Sequence, residues 1–317
     1  MDAVIVPAKR RLAPAKVNLA LHVVGRRDDG YHLLESLVVF DEGASDEILV
    51  TPRDDASVGA NAADAGVDRL GISGRFAPSV PGGAGNILLQ ATALAREEFA
   101  TFGLELPPLD VALSKHLPVA AGIGGGSADA AALLALVSAD VPEAARAALA
   151  AAAIRLGADV PMCLAGQAAF VSGIGEVIRP IAPMPPLAML LVNPGIAVET
   201  AAVFRMLARP DNPPMPALPT HGFRTTADLV AYLSETRNDL ALAAGSLAPE
   251  IAIARSRLLD AGAFFARMSG SGATVFGLFA DTAARDDAAQ RIARDEPGWW
   301  LSRPSGIAAP DDERSSP

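Results

Sequence analysis

Pro118-Val-Ala-Ala-Gly-Ile-Gly-Gly-Gly-Ser-Ala-Asp-Ala-Ala-Ala132 is the stretch on which the reading of this chain turns. Gly122, Gly124, Gly125 and Gly126 stand directly ahead of Ser127 and a long Ala/Leu segment. Glycine lacks Cβ, so the backbone can take positive φ and approach a ligand closely. The pattern predicts a helix over 128–139 with Ser127 as its N-cap. Such a loop, feeding a helix N-terminus, offers unpaired N–H groups and about half a positive charge. That combination suits a phosphate. Neither common Gly-rich fingerprint fits. No Gly-Lys pair exists for a Walker A loop, and Ser127 stands where the dinucleotide fingerprint needs its third glycine.

Working outward, the residues on either side alternate in a way that predicts strands and helices. Residues 12–24 read as a strand that places Lys16 and Asn18 on one face. Asp28-Asp29-Gly30 signals a turn, and 32–40 and 47–52 read as two further strands. Residues 53–81 are polar and read as a loop with one short strand near 70–76. A helix is predicted at 86–99, then a strand at 109–115 that delivers the chain to the glycine loop. Another helix fits 142–156, and 167–178 reads as a hairpin. The prolines between 180 and 186 mark a domain boundary. Beyond them come a strand at 187–192, helices at 199–207, 226–233, 249–261 and 282–296, and a strand pair or a strand and turn at 266–279, interrupted by Ser269-Gly270-Ser271-Gly272. The mixture predicts a two-domain α/β or α+β protein. The segment after Pro304 reads as a disordered tail.

Composition narrows the function. A formal charge of -10 over 317 residues argues against nucleic acid as a partner. The lone cysteine, Cys163, rules out an internal disulfide framework. The apolar stretch near the start is too short for a signal peptide, and prolines interrupt the uncharged run 180–198. A soluble cytoplasmic protein without a membrane segment is expected. Lysine occurs only at positions 9, 16 and 115. Two of the three lie at informative places: Lys16 within an apolar strand, and Lys115 just ahead of the glycine loop.

Five segments therefore stand out: Pro14-Ala15-Lys16-Val17-Asn18-Leu19, Asp29-Gly30-Tyr31-His32, the glycine loop led in by Lys115, Leu156-Gly157-Ala158-Asp159-Val160-Pro161, and Met268-Ser269-Gly270-Ser271-Gly272-Ala273. In this order they resemble the GHMP small-molecule kinases, the superfamily of galactokinase, homoserine kinase, mevalonate kinase and phosphomevalonate kinase. Within it, the first, second and fourth segments are similar to the 4-diphosphocytidyl-2-C-methyl-D-erythritol kinases. The resemblance implies an α+β, two-domain GHMP kinase fold. Its N-terminal ribosomal-S5-like α/β domain would span 1–182, its C-terminal ferredoxin-like α/β sandwich 183–303, and a disordered tail 304–317. The active site is expected in the cleft between the domains.

The implied activity is ATP-dependent phosphorylation of the 2-hydroxyl of 4-diphosphocytidyl-2-C-methyl-D-erythritol, a step of non-mevalonate isoprenoid precursor synthesis, with Mg2+ as cofactor. The resemblance makes Lys16 and Asp159 catalytic. It assigns ATP to Pro118, Val119, Ala120, Ala121, Gly122, Ile123, Gly124, Gly125, Gly126, Ser127 and Ala128, with Asn86 and Lys115 near the adenine. Asn86 reads equally as a helix N-cap. Asn18, Tyr31, His32 and Thr200 would bind the acceptor substrate, and the Ser127 hydroxyl is the candidate metal oxygen. A monomer or weak homodimer is expected. Departures from the family pattern fall at Ala120, Ala121 and Ala128, and Asp129 would oppose a bound phosphate unless it faces away. The alternatives are a homoserine- or mevalonate-type kinase and a non-catalytic nucleotide-binding regulator. The Asp29–His32 turn counts against the first and the retained Lys16 and Asp159 against the second.

Overall fold

A computed structural model describes residues 2–4, 8–53 and 67–302. The expected tail and the middle of the 53–81 loop lie outside these residues. In chain order, β1 (Asp2–Ala3), β2 (Lys9–Arg26) and β3 (His32–Pro52) are followed by β4 (Arg69–Ser73), α1 (Ile87–Ala100), β5 (Leu104–Glu105) and β6 (Leu109–Ser114). Next come α2 (Gly125–Val137), α3 (Glu143–Ala152), α4 (Val160–Ala165), β7 (Ala169–Gly173) and β8 (Val177–Pro180). The second half holds β9 (Ala188–Asn193), α5 (Thr200–Arg205), α6 (Thr226–Ser234), α7 (Ala241–Leu247), α8 (Glu250–Asp260), β10 (Phe265–Met268), β11 (Val275–Phe279), α9 (Thr282–Asp295) and β12 (Trp300–Leu301).

The scaffold of the first half is the long hairpin of β2 and β3. It pairs Lys16 with Phe40 and Asn18 with Val38. The two strands expected at 32–40 and 47–52 are one strand. Its polar middle does not turn but bulges, because Ala15 pairs with Asp41 while Pro14 pairs with Ser45, leaving 42–44 unmatched. Asp41 Oδ1 accepts the Gly43 N–H at 3.0 Å, closing the bulge locally. The free edge of β3 is divided: its first part pairs with β7 and its last part with β6, giving the order β4-β6-β3-β7-β8 with β2 on the other edge of β3. The helices α1 and α2 bury Leu88, Leu94, Leu133 and Leu134 against Ile48, Val111 and Leu113 of this sheet.

The second sheet has the order β10-β11-β9-β12 and is antiparallel throughout. The apolar run of β9 does not alternate in the sequence because both of its faces are covered. Leu190 and Val192 pack with Leu258 of α8 and Ile292 of α9. Met189 and Leu191 face the other way, toward Leu19 and Leu37 of the first sheet. Full burial of a side chain such as Phe276 in that shared core is worth about 2 kcal/mol. Arg267 of β10 strengthens the junction. Its guanidinium donates to the carbonyls of Leu19, Leu233 and Thr236 and to Thr236 Oγ1, at 2.9–3.0 Å. Burial pushes its pKa down to about 10. The reading of the sequence missed the short elements β1, β5 and α4 in the first half and α7 and β12 in the second. Seven residues containing Gly245 and a two-residue strand are too short for periodicity to register.

Candidate active site

The strand β6 carries the chain to Lys115, and 118–124 loop back into α2. The helix starts earlier than expected: its N-cap is Gly124 and Ser127 is its third residue. The first helical bond, Ala128 N–H to Gly124 C=O, measures 2.8 Å. Gly124 has φ +64°, which a glycine adopts without strain, so the glycine run enters the helix instead of ending before it. No side chain caps this end. The N–H groups of Gly125, Gly126 and Ser127 are therefore left for a ligand.

The loop is clamped by the Ser269–Gly272 turn between β10 and β11. Ser269 Oγ accepts the Asn18 N–H and donates to Gly122 C=O, both at 3.0 Å. Lys16 N–H donates to Ile123 C=O at 2.9 Å. A Cβ on Gly122 would stand 2.5 Å from the Ser269 carbonyl oxygen, so only glycine fits between the two loops. Ala120 is the exception to this economy of strain. It is a non-glycine residue at φ +53°, costing about 1 kcal/mol.

Lys16 and Asp159 meet under Gly124. Their Nζ and Oδ2 atoms lie 3.0 Å apart, with side chains 6% and 37% exposed. The lysine is thus held from within while the carboxylate opens outward. Lys16 Nζ also donates to Asn18 Oδ1 at 2.8 Å, Asn18 Nδ2 to Ser36 Oγ at 2.7 Å, and Ser36 Oγ to Ala20 C=O at 2.8 Å. This chain fixes the ammonium and engages both ends of the Asn18 amide. Asp159 is the N-cap residue of α4, yet its side chain makes no capping bond. Its carboxylate therefore points to the cavity and to Lys16.

Two cavities meet at this pair. One, of about 490 Å³, is lined by Lys16, Asn86, Lys115, Pro118, Val119 and the glycine loop. The other, of about 920 Å³, is lined by Arg26, Tyr31, His32, Ala201, Arg205 and Pro210. Asp159, Ser127, Thr200 and Phe204 line both. The predicted donor residues Ile123 and Ala128 do not line either cavity. They are 1% and 3% exposed and belong to the core, because their side chains point away from the loop's ligand face. Asn86 acts as the N-cap of α1: its Oδ1 accepts the Leu88 N–H at 2.9 Å, and its Nδ2 donates to Pro81 C=O at 2.7 Å. Asp129 borders the smaller cavity, but its carboxylate is buried and pairs with Lys115 Nζ at 2.5 Å. Burial pushes its carboxyl up to about 7, against the pull of Lys115.

In the larger cavity, His32 stacks on Phe204 with ring centroids 4.7 Å apart and planes 19° from parallel. Its Nδ1 is buried without a partner. Burial, seconded by the Arg26 charge, lowers its pKa below the usual histidine value. Tyr31 stands on the adjoining turn, 59% exposed. Thr200 Oγ1 lies 2.8 Å from Ser271 Oγ, joining α5 to the Ser269–Gly272 turn. Sequence reasoning missed Phe204, Arg26 and Arg205. The one available signal for Phe204 was its spacing of four from Thr200, which puts both on one helix face.

Comparison with known proteins places the chain in a family. Residues 86–167 match the GHMP kinases N terminal domain, and 215–297 match GHMP kinases C terminal. A solved homoserine kinase from Cytophaga hutchinsonii shares the fold, with TM-score 0.60, 17% identity and 96% of each chain covered. Fold and site together define a GHMP kinase, α+β in class. A 4-diphosphocytidyl-2-C-methyl-D-erythritol kinase from Paracoccus denitrificans is 46% identical over 95% of this chain and 97% of its own. A crystal structure of a 4-(cytidine 5'-diphospho)-2C-methyl-D-erythritol kinase superposes with TM-score 0.68 at 32% identity, covering 92% of this chain and 98% of the other. The chain belongs to the 4-diphosphocytidyl-2-C-methyl-D-erythritol kinase family.

Proposed function

We propose that this chain transfers the γ-phosphoryl group of ATP to the 2-hydroxyl of 4-diphosphocytidyl-2-C-methyl-D-erythritol. The observation that carries this reading is the position of Asp159 and Lys16 where the two cavities join. The smaller cavity suits the donor, because its floor is a glycine loop ending in the N–H groups of α2. The larger suits the acceptor: Tyr31 and the outer surfaces of the stacked His32–Phe204 pair offer aromatic faces for a base. Thr200 and Asn18 would flank the methylerythritol end.

Phosphoryl transfer needs positioning and charge stabilisation more than covalent help from the protein. A new bond forms between the acceptor 2-oxygen and the γ-phosphorus. The bond to the β-phosphate oxygen breaks, and its electron pair leaves with ADP. Asp159 orients the hydroxyl and takes its proton, and Lys16 steadies the charge on the acceptor oxygen and the transferred group. Mg2+ held on the phosphates would offset their charge, and it needs only one or two protein oxygens. The Ser127 hydroxyl, lining both cavities, fits that need. We assign the donor half to residues 1–182 and the other half to 183–303, working in the cytoplasm as a monomer or weak homodimer. Among the described residues no helix is long and apolar enough to cross a membrane.

The test is ADP release in the presence of ATP and Mg2+ with a panel of acceptors. Turnover with the cytidyl substrate, a new phosphate on its 2-oxygen, and none with homoserine or mevalonate is expected. Turnover with homoserine or mevalonate alone would overturn the assignment.

A further inference from the structure

Beneath the donor loop lies a charged cluster that the transfer chemistry does not use. Lys115 Nζ donates to Asp46 Oδ2 at 2.6 Å and to Asp129 Oδ2 at 2.5 Å. Asp46, Lys115 and Asp129 are 0%, 3% and 3% exposed. The other oxygen of Asp46 accepts the N–H groups of His116 and Leu117, at 2.6 and 2.8 Å. Asp129 Oδ1 is buried with no partner. Three separate pieces of the fold are thereby tied at one ammonium: β3 just past its bulge, the segment after β6, and the first turns of α2.

The cluster sits directly under the N–H groups meant for phosphate. A Cβ on Gly125 would lie 3.3 Å from Lys115 Nζ and 3.8 Å from Asp46 Oδ2. The Ser269–Gly272 turn and the Lys16 N–H hold the loop at Gly122 and Ile123, but the helix start itself has no side-chain cap; the cluster is what supports it from below at Gly125. Buried charges gathered round one ammonium are costly to assemble and give a single well-defined geometry only when paired. Lys115 lines the donor cavity, but both of its carboxylate bonds turn it inward.

We propose that Asp46, Lys115 and Asp129 are positioning residues for the donor site, and that Lys115 is a brace of the phosphate loop rather than a contact to the nucleotide. The brace holds Gly124, Gly125 and Gly126 at the height above β3 that the nucleotide phosphates require. This rests on the reading of 118–128 as the ATP-phosphate loop.

The two roles for Lys115 differ in sign. If the ammonium served the nucleotide, removing a competing carboxylate would free it, and the KM for ATP would fall. If it is a brace, removing that carboxylate lets the loop shift, and the KM for ATP rises. Asp129→Ala is expected to raise the KM for ATP about tenfold while leaving the KM for the cytidyl substrate unchanged. Asp129→Asn keeps an oxygen for Lys115 and is expected to restore the wild-type value. Where Asp129→Ala does not fold, Asp129→Ser carries the same test, because its hydroxyl is too short to reach the ammonium. Dissociation constants for a fluorescent ADP analogue should move with the KM for ATP. An unchanged or lower KM for ATP, an equal rise in both KM values, or no rescue by asparagine would overturn the brace. Wild-type enzyme that neither binds the ADP analogue nor consumes ATP would remove the donor-loop reading and the brace with it. Wild-type turnover beside unaffected variants would remove the brace alone.

Discussion

The donor and acceptor sides of this site are built from different materials. The donor side is backbone. In the proposed function its ligating groups are N–H groups of α2, and its shape depends on glycines that leave no room for a side chain between the loop and the Ser269–Gly272 turn. The acceptor side is side chains: Tyr31 and His32 from a turn, and Thr200 and Phe204 from α5. Backbone sites are rigid and indifferent to what lies beyond the phosphates. Side-chain sites discriminate. In the proposed function the donor loop serves what the kinase class shares, and the aromatic slot serves the particular acceptor.

If the difference is real, a single methyl group should harm the donor side more than loss of a whole ring harms the acceptor side. Gly122→Ala puts a Cβ into the Ser269 carbonyl at a positive φ. It should cost about 3 kcal/mol of stability or a comparable loss of ATP affinity. Thermal unfolding with and without ADP measures it; a neutral result would mean that the two loops do not interlock. Phe204→Ala should raise the KM for the cytidyl substrate about tenfold, the loss expected for one stacking partner, with the KM for ATP unchanged. Steady-state kinetics in both substrates decide this, and equal shifts would deny the slot its selectivity.

Smaller effects sharpen the same contrast. The lowered pKa of His32 means that the folded protein binds its proton less readily than the unfolded chain. The neutral ring, and the stability it contributes, persist above about pH 6.5 and are lost as the pH falls through the lowered value. The acceptor KM should therefore be flat from about pH 6.5 to 8 and rise below that, a rise that His32→Gln should abolish. Ala120→Gly should change stability by less than about 1 kcal/mol. Relief of the positive φ is offset by the greater freedom of glycine in the unfolded chain. Calorimetry would detect a larger change, and with it a role for Ala120 beyond its backbone conformation.

What could be read from the sequence follows the same division. Glycines at 122 and 124–126 announce backbone geometry directly, and a lysine inside an apolar strand announces a buried charge that needs a partner. Lys16 and the loop stand out for these reasons, whereas Asp159 is reached only through the family resemblance. Contacts made by side chains from distant segments were not. The resemblance puts Lys115 near the adenine, while its carboxylate partners Asp46 and Asp129 are hidden from the sequence because they lie 69 and 14 residues away. Phe204 is one apolar residue in an ordinary amphipathic helix until the fold sets it against His32. The unbroken β3 was hidden because a polar stretch that bulges resembles one that turns. Ser127 looked like an N-cap because capping residues favour serine over glycine. Here, a left-handed Gly124 starts the helix three residues sooner.

The central claim is that Asp159, at the junction of the two cavities, acts on the acceptor and not on the donor. Asp159→Asn keeps the shape of the side chain and its place beside Lys16. The most direct measurement is turnover and ADP affinity in one preparation of this variant. The expected result is a kcat lowered by about 10³-fold with ADP affinity within about twofold of wild type. Turnover close to wild type, or a loss of nucleotide binding that accounts for the lost rate, would contradict it.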